Sequence, residues 1–417
     1  MITKLSVSYF KGLRSVSIQP KNINLLIGAN GTGKTNFADL IDFISVASRI
    51  GLKAALEKYG GIDEARTKLP AGGRLPALGC TIELDGDTSR GIESLKYSFS
   101  LSTSKLLNVD TEQLDATVFA RSPGRPTPPE RVKYHKNRPI RIAFKRKRNR
   151  LEEWQVGSVE NPGSFDDSEN LILNAYGKLN LFQTVSDYLG SMRVYNIDAA
   201  LAKLSSNGGD SELDRSGSNL IPFLKRVLEV QDLSEELISD LRNAVPYIET
   251  IVPERVLTYT TLRFSERDSH LEFRAQQMSD GTIRLLGLLA VLRQSFPPPV
   301  VVIEEPENAL HSYAIRTLLQ IGREVTQREK FSTQIFFTSH SLMVVDEVLG
   351  LEGQKEVATQ GFVCKRRNGT NTIEPASDRV MQAIAKNLGR PSDFLREGSF
   401  DDKPDQLPLA DESGNPL

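Results

Sequence analysis

The segment GANGTGKT, Gly28 to Thr35, sets glycines, a lysine and a threonine at the G-x-x-x-x-G-K-[ST] spacing. Glycines so placed let backbone N–H groups turn inward around a phosphate, and a helix starting there points its positive dipole end at the same anion. Gly28, Asn30, Gly31, Gly33 and Asn36 then line the loop. Lys34 reaches the β- and γ-phosphates, and the Thr35 hydroxyl is placed to ligate Mg²⁺. A second group is VVVIEEPENALH, 300–311, an apolar run delivering adjacent carboxylates. Glu304 is expected to hold Mg²⁺, directly or through water, and Glu305 to orient and deprotonate an attacking water. QIFFTSHS, 334–341, repeats the design, and its His340 can hydrogen-bond a terminal phosphate or that water. In QQMSDGTIRLLGLLAVL, 276–292, Ser279 is a good N-cap and Gly281 permits a close backbone approach, which suits an anion. Taken alone, that last stretch is also explained as a well-capped core helix.

The chemistry requires particular elements to hold these residues. INLLI, 23–27, stops at Gly28 as a buried strand does, and NFADLIDFISVASRI carries apolar residues at helical spacing, giving strand, glycine loop, helix. Residues 2–8 and 14–18 read as a hairpin. From 93 to 155 the pattern alternates, with a Pro-rich interruption, RSPGRPTPPERV, as in an antiparallel β subdomain. Residues 170–250 read as mainly helical, and 255–275 return to strands. Beyond them apolar strands alternate with helices at 283–293 and 309–328, which argues for a parallel sheet covered on both faces.

These motifs, in this order, resemble the ABC-type ATPases of the RecF/SMC/OLD branch. More closely, the chain is similar to the compact AAA-type predicted ATPases of bacteria, the group that includes OLD-like and Septu-type phage-defence ATPases. The likeness spans about 1–50 and 185–345, and it also rests on RVYNID, 193–198, and DRSGSNLIPFL, 214–224. It implies two heads sandwiching two ATP molecules, with Lys34, Thr35, Glu304, Glu305 and His340 acting in cis and Ser279 with Gly281 in trans. A homodimer at least is implied, engaged by ATP and released by hydrolysis. There are departures: Leu310-His311-Ser312 replaces the usual Leu-His-Pro, no loop glutamine for Mg²⁺ can be placed, and the stretch after His340 shows no strand-borne Asp-x-Asp of a Toprim nuclease. Any nucleic-acid cleavage is therefore expected from a separate protein.

Composition bounds the rest. With 39% hydrophobic and 25% charged residues the chain is ordinary for a globular protein, and its 417 residues exceed what one core usually serves. No apolar run approaches a membrane span, no secretory signal is visible, and Cys80 and Cys364 are too few for a disulfide framework, so a cytoplasmic setting is expected. Between Arg121 and Arg150 twelve Lys or Arg face one acid, a local charge of +11 in a chain of net −1. Within it RVKYHKNRPIRIAFKRKRNR, 131–150, reads as a basic hairpin bearing Arg131, Lys133, Arg141, Lys145, Arg146, Lys147 and Arg148. Such density suits a nucleic-acid backbone, a solvated face, or docking of an acidic partner, even the acidic tail of a neighbouring copy. That tail, from about 396, reads as disordered.

The expectation is an α/β, ABC-type P-loop head with a mostly parallel sheet, an N-terminal antiparallel β lobe and an inserted β/helical subdomain. Its parts are the first half of the head, 1–92; the insert with the basic hairpin, 93–250; the second half of the head, 251–350; a small extension, 351–395; and the tail, 396–417. The function implied is an ATP- and Mg²⁺-dependent ATPase serving as sensor or scaffold in phage defence with a partner nuclease or toxin. Rival readings are a RecF-like repair ATPase acting directly on DNA and a non-hydrolysing scaffold that holds an effector.

Overall fold

The computed structural model describes residues 1–68, 76–121, 132, 134–176, 179–204, 212–269, 271–350, 357–367, 369–398 and 400. In chain order its strands are β1 (Ile2–Phe10), β2 (Leu13–Ile18), β3 (Ile23–Ile27), β4 (Gly79–Asp87), β5 (Ile92–Leu101), β6 (Val109–Arg121), β7 (Tyr134–Lys147), β8 (Arg150–Val156), β9 (Arg193–Tyr195), β10 (Ile248–Val256), β11 (Tyr259–Glu266), β12 (Glu272–Arg274), β13 (Val300–Glu304), β14 (Gln334–Ser339), β15 (Thr359–Arg367) and β16 (Thr370–Pro375). The helices are α1 (Lys34–Arg49), α2 (Leu52–Lys58), α3 (Ile62–Ala65), α4 (Ile172–Ala175), α5 (Asn180–Gly190), α6 (Ala199–Ala202), α7 (Leu220–Leu228), α8 (Gln231–Ala244), α9 (Asp280–Arg293), α10 (Ser312–Thr326) and α11 (Leu342–Leu349), followed by two short ones at Asp378–Ala385 and Pro391–Arg396.

One sheet organises the molecule. Among the described residues it runs β8-β7-β6-β5-β4-β1-β2-β16-β15-β3-β14-β13-β9. Its centre, from β15 through β3, β14 and β13 to β9, is parallel. The flank from β2 out to β8 is antiparallel. Strand alternation sorts side chains to opposite faces. Val300, Val302 and Phe336 pack with α1 and α5 in one core, while Val301, Ile303, Ile335 and Phe337 pack with α7 to α11 in the other. Burial on both faces is why β13 reads as an unbroken apolar run up to Ile303, and β3 as apolar but for Asn24, whose buried amide donates to the carbonyls of Lys21 and Ile335. Helix α9 lies inside the second core and is buried from Thr282 to Leu292. A separate three-stranded sheet, β10-β11-β12, covers this side.

Two features differ from the sequence reading. The span 170–250 contains a strand, β9, which pairs with β13 at the sheet edge. Three residues are too few to show a period. The stretch 351–395 is no appendage, because β15 pairs with β3 at the centre of the sheet, Val363 opposite Ile27. The Pro-rich run at 122–131 and the acidic tail from 401 onward lie outside the described residues.

Candidate functional site

Strands β3, β14 and β13 run in parallel and end together, Ile27 opposite Ser339 and Thr338 opposite Glu304. The turns leaving their carboxyl ends carry the candidate residues, the expected place for a ligand in an open α/β sheet. The phosphate loop leaves β3 with Gly28 N–H donating to the Ser339 carbonyl at 3.3 Å. Gly31 and Gly33 have φ of 81° and 104°, a left-handed backbone that L side chains avoid. At Gly28 a Cβ would meet the Cys364 carbonyl at 2.6 Å, so β15 closes one side of the loop. Lys34 is buried and donates from Nζ to the carbonyls of Gly28, 2.6 Å, and Ala29, 3.0 Å. Asn30 and Thr35 are exposed, and Asn36 is half-buried beside Gly12.

Glu304 ends β13 fully inside the structure, 3% exposed. Its Oε1 accepts from Arg215 Nε at 3.0 Å and from Arg215 Nη2. Arg215 Nη1 donates to Asp39 Oδ1 at 2.6 Å, and Asp39 Oδ2 meets Lys11 Nζ at 2.5 Å. Burial lifts the Glu304 carboxyl above its ordinary range, with Arg215 pulling the other way. Asp39 lies on α1 one turn beyond Thr35, so the hydroxyl and both carboxylates occupy one face of the site. These are hard oxygen donors that suit Mg²⁺. Among the described residues no cluster of three acidic, His or Cys side chains could hold a metal unaided, so phosphate oxygens would have to complete its shell.

Glu305 begins the next turn in a left-handed conformation, φ 44°, with its carboxylate partly exposed. Its N–H is fixed by the Thr338 carbonyl at 2.9 Å, and its Oε2 accepts from Asn308 Nδ2 at 2.8 Å. His340 Nδ1 stands 3.8 Å from Glu305 Oε1 and 3.5 Å from Glu307 Oε1. Glu307 holds the histidine turn by accepting from Ser339 Oγ, 2.6 Å, and from the His340 N–H, 3.2 Å. Arg284, from inside α9, donates to the carbonyls of Glu304 and Glu305 at 3.0 and 3.1 Å. Burial holds this guanidinium below its ordinary pKa, with nearby acids opposing.

Ser279 caps α9, its Oγ accepting from the Thr282 N–H at 3.2 Å. The residue is exposed and bonds to no phosphate-loop residue of its own chain among the described residues. At Gly281 a Cβ would lie 2.3 Å from the Ala309 carbonyl. The close approach that demands this glycine is therefore with the turn following Glu305.

Lys34, Thr35, Glu304, Glu305 and His340 thus meet at one sheet edge, while Ser279 and Gly281 do not join it within the same chain. The sequence reading missed Asp39, Arg215, Glu307 and Arg284. Asp39 carried a signal, as an acid four residues after Thr35 on an apolar helix face. Arg215 is a lone cation in a Gly- and Ser-rich turn, and only the fold brings it to β13.

The basic hairpin forms, β7 joined to β8 at Arg148 and Asn149. Arg131 and Lys133 lie outside the described residues. Arg146 is a correction: it is fully buried, 3.6 Å from the equally buried Glu112, and donates to the carbonyls of Arg148, Asp167 and Asn170. The period of two that sends Ile142 and Phe144 inward carries Arg146 with them. Arg141, Lys145 and Arg148 are exposed and face Asp115, Glu152 and Asp110, and Lys147 is also exposed.

The family model described as AAA domain, putative AbiEii toxin, Type IV TA system matches residues 23–346, from the start of β3 into α11. Among solved structures, the chain is similar to an Smc head bound to the C-winged helix domain of ScpA, at 13% identity and TM-score 0.52, covering 91% of this chain and 99% of that one. It is similar also to the Smc head with an extended coiled coil bound to the C-terminal domain of ScpA, derived from Pyrococcus furiosus, at 12% identity and TM-score 0.51, covering 93% and 99%. At such identity the likeness is one of fold. No curated protein matches the chain. No described helix is long and apolar enough to cross a membrane.

Proposed function

Since the chain belongs to the AAA-domain family that carries the putative AbiEii toxin description, we propose that it is a Mg²⁺-dependent ATPase of the ABC type. Two copies engage on ATP and separate on hydrolysis. The observation that carries this reading is the shared edge: the loop around Lys34, the carboxylates of Glu304 and Glu305, and His340 leave adjacent parallel strands, with His340 3.8 Å from Glu305.

Each residue has a part. Lys34, now turned onto two loop carbonyls, exchanges those for β- and γ-phosphate oxygens. Thr35 and Glu304 hold Mg²⁺, which when bound neutralises phosphate charge. Glu305 orients the attacking water and takes its proton; its left-handed backbone and the Asn308 bond keep the carboxylate aimed. His340 contributes a hydrogen bond toward the terminal phosphate, its position set by Glu307. Ser279 and the N-terminus of α9 serve the nucleotide of a second copy. The family description supports a toxin–antitoxin setting; a part as sensor or scaffold in phage defence, with a separate nuclease or toxin, rests on the sequence resemblance.

Glu305→Gln tests the reading. The amide still accepts from Asn308, so folding should be unchanged, while ATP turnover falls by about 10²–10⁴ and ATP-bound dimers accumulate in light scattering. Wild-type protein that binds ATP yet never turns it over would leave only the non-hydrolysing scaffold.

A further inference from the structure

We propose that Arg215 is a positioning residue that stands in for the divalent cation, balancing Glu304 and Asp39 in the nucleotide-free protein and keeping metal out until a triphosphate arrives. This rests on the reading of the site as a Mg²⁺-nucleotide site and adds the order in which its charges assemble.

Asp39 and Glu304 are 6% and 3% exposed and belong to different elements, α1 and β13. Two carboxylates at such depth require a cation. Arg215 supplies it to both from a third element, its Nε and Nη2 on Glu304 and its Nη1 on Asp39, while Lys11 reaches Asp39 alone. The planar fork spans both acids with three donors at fixed spacing, a geometry that a lysine ammonium does not reproduce. The turn that presents it is preformed. Asn196 N–H donates to the Arg215 carbonyl and Asp198 N–H to the Ser216 carbonyl, each at 2.8 Å, and Asn219 Oδ1 accepts from the Asp214 N–H at 2.8 Å. Gly217, at φ 75°, packs so close to Ile197 that a Cβ would lie 2.9 Å from its Cγ2.

Arg215 and Mg²⁺ compete for the Glu304 carboxylate, so metal entry requires the guanidinium to leave. Arg215 also lines a cavity of about 430 Å³ between α1 and β9, where it would share Asp42 with Lys58 and Glu212 with Arg49 and Arg193. A bare divalent ion must displace Arg215 without phosphate ligands to complete its shell; with a triphosphate in the loop the ion brings those ligands and its double charge outweighs one guanidinium. Metal and nucleotide therefore enter together.

The test uses full-length protein and Mn²⁺, read by electron paramagnetic resonance with no nucleotide present. Wild type should bind Mn²⁺ only weakly, and Arg215→Gln at least about tenfold more tightly, since Glu304 then lacks its cation while Lys11 offsets only Asp39. Arg215→Lys retains a charge for folding but loses the three-donor fork, and should bind Mn²⁺ several-fold more tightly than wild type. A purely structural Arg215 would alter the melting temperature and leave Mn²⁺ affinity where it was. That outcome, in whichever variant melts cooperatively, overturns the proposal. A fluorescent ATP analogue separates the failures: if wild type binds it and Mn²⁺ affinity does not move, only the role of Arg215 falls; if wild type binds no nucleotide, the function proposed above falls first.

Discussion

Gly281 shows how one residue type can serve a need that the sequence does not name. Its spacing after Ser279 suggested room for an anion, yet the atom that a Cβ would strike is the Ala309 carbonyl, 2.3 Å away. Ala309 itself sits at φ 68°, in the turn that begins with Glu305. Gly281→Ala must therefore push α9 off that turn or strain it further. The expected cost is about 1–3 kcal/mol, read as a lowered urea midpoint with no nucleotide present. An unchanged midpoint would mean that the contact is loose. The thiols offer a check on packing: burial pushes Cys80 and Cys364 up to about 12, so neither should react with an alkylating reagent in native protein at neutral pH, and both should after unfolding. At this scale the site was half legible. Lys34, Thr35, Glu304, Glu305 and His340 each followed an apolar strand, which announced them. Arg215 and Arg284 reach the site from distant segments, and only tertiary contacts place them.

The antiparallel flank is held by a group that composition disguised. Glu112 on β6 is wholly buried and accepts from the N–H groups of Ile172 and Leu173 at the start of α4 and from Tyr97 Oη, with Arg146 Nη1 3.6 Å away. Those donors favour the carboxylate, but burial is the larger effect and pushes the carboxyl up to about 7 from its ordinary 4.5. The native state then keeps a proton that the unfolded chain releases, so stability is fullest below pH 4.5 and falls as pH rises toward 7, by up to about 3 kcal/mol from this residue. Urea midpoints at pH 5, 6 and 7 should show that slope, and Glu112→Gln should flatten it, leaving the share of Glu304 and Asp240, which burial also raises. An identical slope in the variant would assign it elsewhere. The other half of the pair gives a contrast: Arg146→Met strips the buried donor from the carbonyls of Arg148, Asp167 and Asn170 and should cost about 1–3 kcal/mol. Neutralising Lys145, Lys147 and Arg148 together should cost under about 1 kcal/mol, because their pairings are exposed. The strands were legible from alternation, whereas charge density alone could not say which cation turned inward. Nor could periodicity reveal β9, whose three residues gain their structure from β13.

For the whole molecule the deciding question is whether the nucleotide pocket is finished by a second copy. Each chain has a single phosphate loop, and its exposed Ser279 caps a helix that packs on Ala309 instead of reaching that loop. On the proposed reading the helix N-terminus serves the γ-phosphate of a second copy, and pairing two copies head to head would complete both pockets at once, as a closed twofold assembly allows. Two damaged chains can then repair each other. Lys34→Ala removes the phosphate lysine but keeps Ser279, and Ser279→Glu keeps the loop but sets a carboxylate against the partner's phosphate. Each variant alone should turn over almost no ATP. In an equal mixture, random pairing makes half the dimers mixed, and each holds one undamaged pocket, so roughly a quarter of wild-type turnover should return. Recovery requires association, so it should vanish on dilution below the dimer's dissociation constant. If both variants fold, and the mixture stays as inactive as its components at concentrations where light scattering shows dimers, the pocket is complete within one chain and the shared-site reading fails.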